Sequence, residues 1–439
     1  RAWLGLGAPL TRWQQQIPII SILALLLLRF AGMSRVCREE QAPYCAPSFY
    51  AYQATTKFAD NPAYALSGPA TNSPYALAAA YLFAFAMADI LRRILKPSHA
   101  HLSSASTLLT WIIRPALLGS SGFWLADWVH GLEQLDEATR STFLVIKIWT
   151  ARAVLFLLVA GAWYWYLSPL SLSVLREPTQ KRDAPPKVAL LGFGNTFGAA
   201  FLLFTSLAFS LLFLLSQPMG QLALSACFVA MVLIAELGDS ERDARLLAAS
   251  KMPNAKDLSA SPSHAPSLLE IVCIGLLGFV AFFSTGHQAT FTAIQWRVAF
   301  VGFPVVTYPW SPLFVVLNAF GPLSILPAFG VVLLTLWNVA PTRAKVQQEE
   351  TGHVRPMRLP GDILRSALGL LLYVGVLTWS AALWAWFFRR HLMLFKIWVP
   401  RYMMAGLGLL ITDVALLGAV AVAWWIAART AKAFGTLYT

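Results

Sequence analysis

The chain has 439 residues, of which 58% are hydrophobic and only 12% charged, with a net charge of +13 and a mean hydropathy of +0.62. A water-soluble domain carries roughly a quarter of its residues as charges, so this composition excludes one: there is too little polar surface to cover a water-facing exterior. The excess of Lys and Arg is the ordinary bias of a membrane protein with basic loops on one side, and it requires no nucleic-acid partner.

Ten runs approach the roughly 20 apolar residues that a spanning helix needs. They cover residues 17–33, 75–95, 107–125, 143–167, 188–215, 219–237, 268–283, 312–337, 363–388 and 402–428. Lipid cannot satisfy backbone polar groups and the runs do not alternate as barrel strands would, so the expected fold is an all-α polytopic membrane protein of about ten helices. A single transmembrane domain fills residues 1–439. Its connectors near 176–187, 251–267 and 341–360, rich in Pro, Ser or charge, read as linkers. Of the 33 Lys and Arg, 19 fall on the side carrying both termini and 9 on the other, which predicts cytosolic termini.

Cys227 and Cys273 lie in apolar runs and read as inert core residues. Cys37 and Cys45 flank a loop on the predicted non-cytosolic side, either as a disulfide in an oxidising lumen or as two surface thiols. The start Arg1-Ala2-Trp3, with no signal peptide before the first span, reads as a piece of a longer chain.

Soluble catalytic signatures are absent: there is no Walker loop, no Cys-x-x-Cys pair and no dinucleotide fingerprint. His99 and His101 share a short loop without a carboxylate, which is a poor metal set, and no metal site is expected. Asp127, Glu133, Asp136 and Glu137 read as a solvated lumenal loop, with the carboxylates of a membrane glycosyltransferase as the sharper alternative.

Ionisable residues at depth are costly and each marks a candidate site. Arg114, Arg152 and Asp413 fall near the midplane, Lys147 nearer the lumen and Asp89 nearer the cytosol. Asp413 is expected to pair with Arg152 or Arg114, or else these groups line a cavity for a phosphate or sugar head group. Arg114-Pro115 predicts a kink. Residues 284–303 are moderately apolar yet studded with polar groups, and should form an interfacial or re-entrant segment. His287, Gln288, Trp296 and Arg297 are its candidate head-group contacts, with Trp296 and Phe300 as anchors. Arg389, Arg390 and Lys396 break the positive-inside trend in a second lumenal stretch and suggest an anionic ligand.

The run Phe-Phe-Ser-Thr-Gly-His-Gln at 282–288, followed by Phe-Thr-Ala-Ile-Gln-Trp at 291–296 and Ala-Phe-Val-Gly-Phe at 299–303, resembles the C-terminal membrane region of the GPI ethanolamine phosphate transferases, most closely the third-mannose type. The Cys-Arg-Glu-Glu run at 37–40 and Phe-Lys-Ile-Trp-Val-Pro-Arg-Tyr at 395–402 fit the same picture. The resemblance implies an endoplasmic reticulum enzyme that transfers phosphoethanolamine from phosphatidylethanolamine to a mannose of the GPI precursor. It implies a zinc-dependent lumenal catalytic domain upstream of these residues, so that no catalytic residue and no cofactor is carried here. A small hydrophobic stabilising subunit is the implied partner. The part played by these spans would be scaffolding and binding of lipid substrates. A polytopic transporter or lipid-handling protein, a membrane glycosyltransferase, or a bare membrane anchor are the rival readings.

Overall fold

The computed structural model describes residues 12–33, 74–95, 104–132, 135–169, 173–177, 187–250, 265–289, 294–339, 359–391 and 394–437. Among them ten helices run alternately in opposite directions: α1 (Arg12–Gly32), α2 (Pro74–Ile94), α3 (Ser104–His130), α4 (Glu137–Leu167), α5 (Thr196–Leu215), α6 (Pro218–Ser250), α7 (Leu268–Ser284), α8 (Trp310–Leu336), α9 (Leu359–Phe387) and α10 (Val399–Leu437). Seven of them, α3 to α6 and α8 to α10, are long and apolar enough to cross a membrane, and α1 and α7 contain shorter apolar stretches. The chain is a polytopic α-helical membrane protein. The terminal face is the one on which α1 begins and α10 ends, and the opposite one is the far face.

Burial sorts the helices into two shells. The apolar windows of α5, α6 and α8 are 83%, 83% and 89% buried, whereas those of α4, α9 and α10 are about one-fifth buried. The inner three are hydrophobic on all sides, as helices surrounded by other helices must be. Phe201 and Phe204 of α5 stack on Phe329 of α8, and Phe209 stacks on Phe228 of α6 with centroids 4.3 Å apart. Hydroxyls within this core turn back on their own helices: Thr205 donates to the Phe201 carbonyl, Ser206 to Leu202 and Ser210 to Ser206. An apolar surrounding leaves them no other partner.

Two spans are broken inside the bundle by π-helical turns. One covers Leu109–Ile113 and ends where Arg114-Pro115 was expected to kink α3; the other covers Gly321–Ile325 and contains Pro322. Proline lacks the donor that a regular turn would use, and the wider turn absorbs the mismatch. Helices approach closely where one carries glycine. A methyl group on Gly278 of α7 would sit 2.8 Å from the Leu323 carbonyl and against Pro327 of α8.

The fifth span begins later than its hydropathy suggests. Residues 188–191 belong to a two-stranded antiparallel hairpin, Ser173–Glu177 with Lys187–Leu191, the only sheet among the described residues of an otherwise all-α fold. Gly192, at φ 85°, turns the chain from the hairpin into α5, a left-handed conformation that glycine adopts without steric cost. The hairpin occupies the flanks of the linker expected at 176–187, while most of the linkers at 251–267 and 341–360 lie outside the described residues.

The helix α6 runs on past the expected end at residue 237 to Ser250. Its extension is polar and locks the terminal face. Glu236 accepts from the Trp337 indole at 2.7 Å, Asp239 accepts from the Asn338 amide at 2.6 Å, and Arg242 donates to the Leu334 carbonyl at 3.2 Å. At the start of α7, Ser267 and Glu270 form a capping box.

Gly278→Ala is expected to lower stability by about 1–3 kcal/mol, because the wall it meets is backbone and a proline ring. Gly361→Ala, with nothing within 4 Å of the added carbon, should not. Thermal unfolding of both variants in detergent checks the contrast.

Candidate functional site

The far face is covered by the connection between α7 and α8, of which residues 285–289 and 294–309 are described. This segment is neither helix nor strand apart from a 3₁₀ turn at Trp296–Phe300, so its polar groups need individual partners. They find them in a chain of side chains. Asn318 of α8 donates its amide to the Leu215 carbonyl at the end of α5, at 2.8 Å. Its carbonyl oxygen therefore faces His287 Nε2, 3.0 Å away, which fixes that nitrogen as the N–H donor. His287 Nδ1 is then the acceptor, and the Thr285 hydroxyl lies 2.9 Å from it. Gln295 donates to the Thr285 carbonyl at 2.9 Å. Gly286, at φ 85°, makes the turn that brings His287 back under Phe282, on which its ring stacks.

The histidine is 3% exposed. Burial pushes its pKa down to about 4, so the ring is neutral at physiological pH. Both ring nitrogens are occupied. His287, expected as a head-group contact, has both nitrogens on protein partners in this structure and holds the segment's shape. Gln288 beside it is half-buried.

A second anchor joins the segment to α4. Arg152 donates from Nε to the Gly302 carbonyl at 2.9 Å, and its guanidinium lies 5.3 Å from the Trp149 ring and 5.9 Å from Phe303. Gly302 has φ 79°, again a left-handed turn. Lys147, one helical turn nearer the far face, bonds Asp127 of α3 at 2.9 Å, and Arg297 stands 3.9 Å from the other carboxylate oxygen. His130 Nδ1 is 3.5 Å from the lysine. Asp127 is thus held between two cations and is no solvated loop residue, while Asp136 caps α4 by accepting from the Thr139 amide. Of the four carboxylates on which a glycosyltransferase would rely, Asp127 and Asp136 thus have structural partners, Glu137 is exposed, and Glu133 lies outside the described residues.

The remaining midplane charges do not pair as expected. Arg114 binds Asp89 of α2 and lies 5.1 Å from the Phe85 ring. Arg152 holds Gly302. Asp413 is left with neither, and its Oδ1 is buried without a hydrogen bond among the described residues. The closer partner wins because a charge at depth is stabilised steeply by proximity. Cys227 is fully buried, but Cys273 faces outwards, against the core reading. Cys37 and Cys45 lie outside the described residues.

Arg389 and Arg390 are exposed beyond the end of α9, with the Arg389 guanidinium 5.2 Å from the Trp386 ring. Lys396 falls in a π turn, Leu394–Trp398, and its side chain lies outside what is described. Trp296 is 62% exposed on the same face, as an interfacial anchor would be. The sequence reading missed Asn318, Thr285, Gln295 and Asp127 as site-shaping residues. A search restricted to charges passes over Asn318, although an amide within an apolar span is a comparable signal.

Among the described residues no three His, Cys, Asp or Glu side chains gather as a metal-ligand set. Among the described residues the face carries exposed Arg389 and Arg390 and the aromatic Trp296, groups that suit a phosphate at head-group level.

This arrangement is that of a polytopic membrane protein with a capped, cation-bearing far face. The chain is similar to the protein named GPI ethanolamine phosphate transferase 3 in Eremothecium gossypii, 28% identical over 398 residues that make up 90% of this chain and 34% of that protein. It is 27% identical to the protein of that name in Saccharomyces cerevisiae, over 92% of this chain and 35% of the other. With the human GPI ethanolamine phosphate transferase 3, catalytic subunit, it shares 28% identity over 59% of this chain and 25% of the relative. The match covers the C-terminal part of these relatives, and the chain spans about a third of the length of the first two. No family model and no solved structure matches it.

Breaking the polar chain is expected to loosen the far face. His287→Ala strands the Asn318 carbonyl oxygen, while the Thr285 hydroxyl can still donate to Ala281 or Phe282, and should lower stability by about 1–3 kcal/mol. The native ring stays neutral down to about pH 4, while the unfolded ring protonates near 6.5. The unfolded state therefore binds the extra proton in that window, and stability is lost as pH falls through it. Relative to His287→Gln, the parent protein should lose about 1.4 kcal/mol per pH unit between pH 6.5 and 4. Chemical unfolding across that range measures it, and parallel curves would sink the assignment.

Proposed function

We propose that this chain is the membrane region of a phosphoethanolamine transferase of GPI-anchor assembly, acting on the third mannose of the precursor in the endoplasmic reticulum membrane. The observation that carries this reading is the similarity, over nine-tenths of the chain, to two proteins that bear the name of that transferase. In this reading the far face is lumenal and the terminal face cytosolic. The catalytic domain, with its zinc, lies upstream of these spans in the full-length protein, and a small hydrophobic subunit packs against them.

The work assigned to the spans is to hold two lipids, phosphatidylethanolamine and the GPI precursor, while their head groups reach the lumenal domain. In this reading Arg297, Arg389, Arg390 and Lys396 meet the lipid phosphates, and Arg–phosphate contacts are strong because they are charge-assisted and can be bidentate. Trp296 fixes the depth of the segment. Asp89, Arg114, Lys147 and Arg152 serve the scaffold, because their partners stabilise helix contacts and the far-face segment.

Two measurements test the proposal. The intact mass of the native polypeptide should correspond to a chain about three times as long as these 439 residues, as expected from a match to about a third of its relatives. A native chain of this length alone would sink the transferase reading. In the full-length enzyme, Arg389→Ala with Arg390→Ala should raise KM for the lipid acceptor several-fold with kcat nearly kept, since removing ground-state contacts acts on KM. Transfer of labelled phosphoethanolamine to a mannolipid reports both constants, and unchanged kinetics would remove this pair from the site.

A further inference from the structure

On their far-face halves, α7, α8, α9 and α10 do not close on one another. A cavity of about 270 Å³ lies between them, walled by Phe279, Leu323, Tyr373, Leu377 and Met404. Its serine and threonine hydroxyls are turned into backbone. Thr378 donates to the Val374 and Ala405 carbonyls, Ser324 to Gly408, and Thr412 to the same Gly408 carbonyl at 2.7 Å. Apart from Tyr373, and Arg401 at its end, the wall thus presents hydrocarbon, which suits an acyl chain better than a polar occupant.

The cavity has a direction. It extends along α10 from Arg401 to Thr412 and along α9 from Ala381 to Leu370. Eleven helical steps at 1.5 Å each give about 16 Å. That is half the ~30 Å hydrocarbon core, the depth of one leaflet. Arg401 is exposed at the far-face end, with its guanidinium 5.6 Å from the Trp398 ring. No carboxylate among the described residues lies within 4 Å of it. Trp398 in turn stacks on Phe388 and Trp384, an aromatic cluster of the kind that sits at head-group level. A cation at the top of a leaflet-deep apolar slot matches a molecule with an anion above a hydrocarbon chain.

We propose that this groove seats one acyl chain of a phosphate-bearing lipid from the far-face leaflet, with the lipid phosphate on the Arg401 guanidinium. The site rests on the reading of the chain as a lipid-handling membrane region, and it names the position and the contact that such handling uses. Phe282 links it to the far-face segment: the same ring lines the groove and stacks on His287.

The test reads binding, not transfer. The full-length protein is reconstituted in phosphatidylcholine vesicles carrying trace phosphatidylethanolamine or phosphatidylinositol with a diazirine in mid-chain, or the matching diacylglycerol. After irradiation, labelled peptides are mapped by mass spectrometry. Label from both phospholipids should concentrate on Leu377, Met404 and their neighbours in the groove, exceeding label from diacylglycerol by about tenfold, the scale of one charge-assisted contact. Arg401→Ala should bring phospholipid labelling down to the diacylglycerol level. Ala405→Trp should block the slot for every probe, and Ala381→Phe does the same from the α9 wall if the tryptophan variant does not fold. A preference for one phospholipid would identify the head group recognised, and equal labelling would mean that the phosphate alone is read. Label spread evenly over the outward faces of α4, α9 and α10 would overturn the groove, and undiminished labelling of Arg401→Ala would overturn the phosphate contact. Because no transfer is needed, a failed groove leaves the transferase reading standing, and a chain without transferase activity still labels if the groove is right.

Discussion

A polar group withdrawn from water into an apolar bundle must be paired there, and the far face is organised by that constraint. The α7–α8 connection abandons helical structure, so its buried polar groups depend on side chains supplied from elsewhere. Asn318 and His287 form one bridge, from the end of α5 through α8 to the end of α7. Arg152 with the Gly302 carbonyl forms the other, to α4. The two left-handed glycines, Gly286 and Gly302, stand beside the two bridges because the chain has to reverse sharply to meet each partner. The histidine is neutral for the same reason that it is buried: a charged ring would need a counterion that this apolar position lacks.

Charge pairing in the bundle follows proximity between neighbouring helices. Asp89 takes Arg114 across α2 and α3, and Asp127 takes Lys147 across α3 and α4. The second lies near the far-face end of α3, where side chains can share the cost of leaving water with the interface, while the first pairs a charge within the span. What remains is asymmetric. Arg389, Arg390 and Arg401 carry charge on the far face beside α9 and α10, two of the three spans least covered by protein. Cations that no carboxylate among the described residues neutralises, set beside lipid-facing helices, are where lipid phosphates would accumulate.

The positions of the ten helices, seven of them long and apolar enough to cross a membrane, were legible in the sequence because hydropathy over a window of about 20 residues reads out the lipid environment. Their ends were less so. The helix α6 passes its apolar limit by more than a turn because Glu236, Asp239 and Arg242 recur on one helical face and find partners on α8, a tertiary contact that hydropathy does not register. Residues 188–191 are apolar enough to extend α5 but pair as a strand, since Gly192 breaks the helical path. The importance of residues 284–303 was legible from polar groups within an apolar stretch. The role of His287 was not, because whether a histidine meets a ligand or a core amide depends on Asn318, 31 positions away. The pairing of Asp413 failed on the same ground: sequence gives depth along a helix and says nothing of which neighbour lies across from it.

The groove and the polar bridge share the Phe282 ring, and this ties the proposed lipid site to the integrity of the far face. A ring held on one side by the His287 plane cannot rotate into the slot without breaking the stack, so the bridge keeps the slot's upper wall open. Displacing His287 frees Phe282 to fill the space that an acyl chain would occupy, since an unfilled apolar volume forgoes contact energy and neighbouring side chains relax into it. The histidine can therefore influence lipid binding without touching a head group. Its effect would reach the lipid through a hydrocarbon wall and that of Arg401 through the phosphate, so the two contributions differ in kind: the first depends on chain shape, the second on charge and salt.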